Sequence, residues 1–137
     1  MTKTYNFYDT SSLLLRAEDD SLFDENLVIS TITLTELENI KTSRYKNECI
    51  QNTAKKLIKK LNSNIDKYEV VIFKEKFLND IKELSLPDTP DTRILACAKF
   101  CNDNMHPDET NFITNDLSLA NMASLIFGTD SIYQVEE

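Results

Sequence analysis

Four acidic residues stand where strands and helices would bring carboxylates together: Asp9 in "FYDTSSLLL", Glu36 in "TLTELENI", Asp91 in "LPDTPDTRIL" and Asp116 in "FITNDLSLA". Taken singly, each fits a helix N-terminus, where acids are favoured for structural reasons. Asp9 and Asp116 can cap, Thr33 with Glu36 matches a capping box, and Thr89, Pro90 and Asp91 make a good helix start. Taken together they conflict, because carboxylates at one edge repel one another and raise each other's pKa. A divalent cation removes the conflict. Hard oxygen donors without histidine or cysteine point to Mg²⁺ or Mn²⁺.

Other chemistries find little support. His106 is the single histidine, so a two-histidine metal site is excluded. Cys49, Cys97 and Cys101 are odd in number, which argues against a disulfide framework. Cys97 and Cys101 share a helical face and read as core residues. The single glycine, Gly128, cannot build a Walker A loop or a dinucleotide fingerprint. It reads instead as the residue that stops the helix before it. A phosphoacceptor receiver domain needs an aspartate closing the third strand, and "VVIFKEK" places Lys74 there.

The formal net charge of −8 argues against nonspecific nucleic-acid binding. The basic residues are concentrated, however. Lys41, Arg44, Lys46, Lys55, Lys56, Lys59 and Lys60 lie within one short span, and the acids lie mostly elsewhere. These seven are candidates for contacting nucleic-acid phosphates, or form a solvated face. No apolar run approaches the roughly 18 residues of a membrane span, and "MTKTYNFYDT" lacks a signal-peptide core. A cytoplasmic protein with no membrane partner is expected.

The elements that position the acids follow from periodicity. "YNFYD", Leu27–Leu34, Tyr68–Phe73 and "NFIT" read as strands, with "SIYQV" a short fifth. Helices are expected at "SSLLLRA", from Thr35 or just before, around Ile50–Leu61, at "EKFLNDIKEL", from Pro90, and over Leu117–Phe127. Ile50, Ala54, Leu57, Ile58 and Leu61 form one apolar stripe, with Lys55, Lys56, Lys59 and Lys60 opposite. Such alternation implies a single α/β domain over residues 1–137 with a mainly parallel sheet of four or five strands. Ligands bind such sheets outside the carboxyl ends of the strands. Asp9, Glu36 and Asp116 should crowd that edge, and Asp91 can join them from its helix start.

With "YDTSSLL", "TLTELENI", "DTRILACA" and "FITNDLSLANMA" in order, the chain resembles the PIN domains, small metal-dependent ribonucleases. The second and fourth motifs are most similar to PIN domains that precede an ATPase half in some PhoH-like proteins; these 137 residues hold no such half. The resemblance implies a three-layer α/β/α sandwich and hydrolysis of RNA phosphodiesters. Asp9, Glu36, Asp91 and Asp116 would be its catalytic and metal-binding residues, using Mg²⁺ or Mn²⁺. Thr10 and Ser11 would supply hydroxyls near Asp9, and Thr114 is the family's threonine two before the fourth acid. Asp88 rivals Asp91, which is preferred because "DTRIL" leads into the helix. The resemblance also implies a regulatory version, the toxin of a toxin–antitoxin pair held by an antitoxin, and allows for a homodimer. The alternative is a non-catalytic PIN-like scaffold that binds RNA or protein.

Overall fold

The computed structural model describes residues 3–44, 47–104, 109–128 and 131–134. Five parallel strands form one sheet in the order β3-β2-β1-β4-β5: β1 (Thr4–Tyr8), β2 (Leu27–Ser30), β3 (Tyr68–Val71), β4 (Glu109–Thr114) and β5 (Ile132–Gln134). Strand residues alternate between faces. Phe7, Val28, Val71 and Phe112 face one side, and Tyr8, Leu27, Ile29 and Ile113 the other. Both sides are covered, so β2 is buried along its length. This explains its continuous apolar character.

The first face packs against α4 (Leu78–Glu83), α5 (Pro90–Asn104) and α6 (Leu117–Ala123), contributing Ile81, Ile94, Ala98, Leu119 and Ala123. Phe112 stacks between Phe7 and Phe127, with ring centroids 6.2 and 5.7 Å away. The second face packs against α1 (Thr10–Leu15), α2 (Thr31–Thr42) and α3 (Glu48–Ser63), through Leu13, Leu37, Leu57 and Leu61. The result is the expected three-layer α/β/α sandwich with an all-parallel sheet. No helix among the described residues is long and apolar enough to cross a membrane.

The connections leaving β1 and β4 run in opposite directions across the sheet. Their carboxyl ends are therefore the topological switch point, the place where open α/β sheets bind ligands. Asp9 and Asp116 follow these two strands.

Several local expectations need correction. The run Leu27–Leu34 is not one strand: β2 stops at Ser30 and α2 begins at Thr31. The Ser30 hydroxyl accepts the Thr33 N–H at 3.1 Å and caps the helix. Glu36 therefore lies in the second turn, and no capping box forms with Thr33. A buried strand and an apolar first helical turn look alike in composition. Gly128 is not in the left-handed conformation, and α6 ends earlier, at Ala123. A left-handed helix terminus is found instead at Ser85 (φ 58°), where the Leu86 N–H reaches back to the Ile81 carbonyl. Finally, "EKF" is a 3-10 turn preceding α4, and Ile50 is 38% exposed, outside the buried stripe of α3.

Candidate active site

Asp9 follows β1 and caps α1. Its side chain is only 2% exposed. Oδ1 accepts the Ser12 N–H at 2.9 Å and lies 2.5 Å from the Ser12 hydroxyl. Oδ2 accepts the Thr114 hydroxyl at 2.6 Å. The same Thr114 oxygen accepts the Asp116 N–H at 3.0 Å. One buried hydroxyl thus joins the first acid to the backbone of the fourth.

Asp116 caps α6 with Oδ1, which takes the N–H groups of Ser118 (2.9 Å) and Leu119 (3.2 Å). Its Oδ2 makes no hydrogen bond among the described residues. Capping and ligation therefore use different oxygens, so the two readings of Asp116 are compatible. Glu36 takes the Thr10 hydroxyl on Oε1 at 2.7 Å and leaves Oε2 without a partner among the described residues. Thr10 Oγ1 also meets Thr33 Oγ1 at 3.1 Å, which ties α1 to α2. Asp91, in the first turn of α5, has no side-chain hydrogen bond among the described residues.

The carboxylates act on one another in pairs: Glu36 feels Asp91 and Asp9, and Asp91 feels Asp116 and Asp9. Burial first, then the charges of Asp91 and Asp9, raise the Glu36 pKa above its ordinary value, against the lowering hydrogen bond from Thr10. Asp91 keeps much of its surface in solvent. Its pKa is raised too, by lost hydration first and then by Asp116 and Asp9. None of the four pairs with a lysine or arginine among the described residues. An uncompensated, all-oxygen donor set suits a hard divalent cation. Among the described residues, no three acidic, histidine or cysteine side chains close on one point as metal ligands do.

Asp88 is placed differently. Its carboxylate is held by Arg93 through two bonds, Nε–Oδ1 at 2.7 Å and Nη2–Oδ2 at 2.9 Å. Arg93 holds its pKa down. Asp91 is the acid of that segment that faces the others.

The hydroxyls beside Asp9 divide their work unexpectedly. Thr10 serves Glu36. Ser11 bonds Asn115 Oδ1 at 2.5 Å and stays 3.4 Å or more from Asp9. Ser12 orients Asp9, and it is missing from the residues singled out in the sequence. Its signal was available, since the third residue of a helix capped by aspartate is where the cap bonds. Ser30, fully buried, was missed for the same reason that the strand was overrun, and Thr33 was read as a cap when it receives the cap from Ser30.

The lysines are partly committed. Lys41 pairs with Glu38 (2.7 Å), Lys56 with Glu18 (2.5 Å) and Lys60 with Asp20 (2.8 Å). Lys55 and Lys59 have no ion pair among the described residues, and with Lys41 and Lys56 they line a groove of about 480 Å³ between α2 and α3. Arg44 is exposed beyond α2, while Lys46 and His106 lie outside the described residues. Cys97 and Cys101 are fully buried, with thiols pushed up to about 12 and about 11 by burial, so both are core residues.

This topology and edge of acids define an α/β domain built to present carboxylates at a sheet's switch point. The PIN domain family model matches residues 7–126, and the chain belongs to that family. Among solved structures it is similar to PAE2754 from Pyrobaculum aerophilum (17% identity, TM-score 0.64, 96% of this chain and 84% of that one). It is also similar to VapBC2 from Rickettsia felis bound to a promoter DNA fragment (16%, 0.58, 96% and 99%). VapBC from Salmonella typhimurium, bound to DNA, is similar as well (15%, 0.51, 98% and 98%). At these identities the likeness is one of fold. No protein of curated function matches the sequence.

Proposed function

We propose that the chain is a metal-dependent endoribonuclease that hydrolyses RNA phosphodiester bonds. The observation that carries this reading is that Asp9, Glu36, Asp91 and Asp116 lie close enough to feel one another's charge, and none of them has a basic partner among the described residues. The acids come from four separate segments of a PIN domain, and each has at least one oxygen with lone-pair capacity to spare. Asp9, Asp91 and Asp116 would hold Mg²⁺ or Mn²⁺, with Glu36 as a further ligand or water-orienting group. When bound, such an ion lowers the pKa of water and stabilises charge on the phosphate and the leaving oxygen.

The chain's own residues do the positioning. Thr114 fixes Asp9 against the start of α6, Ser12 fixes its second oxygen, and Thr10 fixes Glu36. The carboxylates alone repel a phosphodiester, so attraction must come from elsewhere. Lys55 and Lys59 are the candidates for it. The VapBC likenesses support the toxin of a toxin–antitoxin pair, with an antitoxin covering this site.

The test is RNA cleavage with Mn²⁺ or with chelator, beside Asp9→Asn and Asp116→Asn. Asparagine caps about as well as aspartate, so Asp116→Asn should fold normally yet lose cleavage. Cleavage that survives in chelator overturns the metal assignment. Wild-type protein that leaves RNA intact in Mn²⁺ overturns the nuclease and leaves a binding scaffold.

A further inference from the structure

Beside Glu36, between α2 and the start of α5, lies a pocket of about 320 Å³. This is at the small end of the ~300–1,000 Å³ of ligand sites. Ile32 and Pro90 supply apolar wall, Thr35 and Asn39 supply polar groups, and Arg93 with Asp88 closes one side. The side chains of Thr35 and Asn39 have no hydrogen-bond partner among the described residues.

The state of Arg93 decides what the pocket suits. Both carboxylate oxygens of Asp88 hold its fork, and its guanidinium lies 4.9 Å from the Phe73 ring centroid. It is therefore a plane paired with one carboxylate on its edge and lying against an aromatic ring. A phosphate would find that cation taken and two carboxylates, Asp88 and Glu36, in the lining. A flat, neutral group with hydrogen-bonding edges finds the opposite. It can stack on a guanidinium plane, as unpaired bases do in RNA recognition, and meet an amide that offers a donor and an acceptor side by side.

We propose that this pocket binds one unpaired base of the RNA next to the scissile phosphate, and that Asn39 selects which base it takes. The proposal rests on the nuclease reading above, since Glu36 belongs to both the carboxylate edge and the pocket wall.

The first measurement does not need cleavage. Adenosine, guanosine, cytidine and uridine carry no phosphate, so the acids do not repel them. Each is titrated to millimolar concentration into isotope-labelled full chain in chelator, following the Asn39 side-chain amide and the Arg93 Nε–H by NMR. Saturable shifts at both groups are expected, strongest for one nucleoside. In Asn39→Leu that preference should fall by about ten-fold, the size of one two-point base contact. Asn39 is exposed, so this variant should keep its fold, which amide dispersion checks. Absence of saturable shifts, or equal binding of all four nucleosides by wild type and variant, overturns the pocket assignment.

The second measurement maps cut sites of both proteins on a mixed-sequence RNA in Mn²⁺. A changed base preference beside the cut supports Asn39 as the selector, and an unchanged one overturns it. If wild type cuts nothing, the nuclease reading fails while the nucleoside titration still decides whether the pocket takes a base.

Discussion

Replacing Thr114 by valine keeps the shape of the side chain and removes one hydroxyl. That hydroxyl is fully buried, donates to Asp9 Oδ2 at 2.6 Å and accepts the Asp116 N–H at 3.0 Å. A hydrogen bond to a charged group contributes about 1.5–3 kcal/mol and a neutral one about 0.5–1.5 kcal/mol. Asp9 is too buried to recover the lost donor from water. The expected loss for Thr114→Val is about 2–4 kcal/mol, or a fall in Tm of roughly 6–15 °C for a chain of this size. Thr114→Ser keeps the hydroxyl and should recover most of it, less the lost methyl. Urea and thermal unfolding in chelator, followed by circular dichroism, measure both. Because Thr114 acts through Asp9 rather than on substrate, Thr114→Val should lower kcat by about 10–100-fold with little change in KM. A valine variant as stable as the serine one, with kcat unchanged, would refute the idea that this hydroxyl holds the two acids in register.

Glu36→Gln keeps an oxygen for Thr10 and removes a charge that burial, Asp91 and Asp9 disfavour. A carboxyl whose folded pKa is raised favours the folded state most when protonated, and this advantage is lost as pH rises from 4.5 through the raised value. In chelator, the variant should match wild type below that window and melt at a higher temperature at neutral pH; equal melting at both would remove Glu36 from the repulsive cluster. Ser30→Ala deletes the cap of α2 and should cost about 1 kcal/mol in urea titrations, with no loss placing the helix start elsewhere. Changing Lys55 and Lys59 together to glutamine should weaken RNA binding and flatten its salt dependence by at most about two in slope, read by anisotropy at several salt concentrations. Unchanged slope would mean that RNA runs elsewhere.

Asp9 and Asp116 were legible in the sequence because each follows an apolar run, and a parallel sheet sends such ends to one edge; Glu36 stands in the second turn of α2 and Asp91 in the first turn of α5 instead. The α/β class and the buried central strand followed from the same alternation. The boundary at Ser30 did not, because "STIT" satisfies a strand and a capped helical turn equally. Only the packing of Ile29 and Leu37 on one face of the sheet decides between them. Composition also could not choose between Asp88 and Asp91. The choice depends on Arg93, which takes Asp88 into a two-bond pair and leaves Asp91 among the other acids. The conflict between cap and ligand dissolved for a similar reason. A sequence reports a carboxyl group as one residue, whereas the fold gives Asp116 two oxygens with separate surroundings, one bound to the α6 N–H groups and one unpartnered among the described residues. The hydroxyl relay from Asp9 through Thr114 to Asp116 spans 105 positions between its first two members, so local periodicity carries no trace of it. It exists because β1 and β4 pair in register and set Tyr8 opposite Ile113, one residue before each partner.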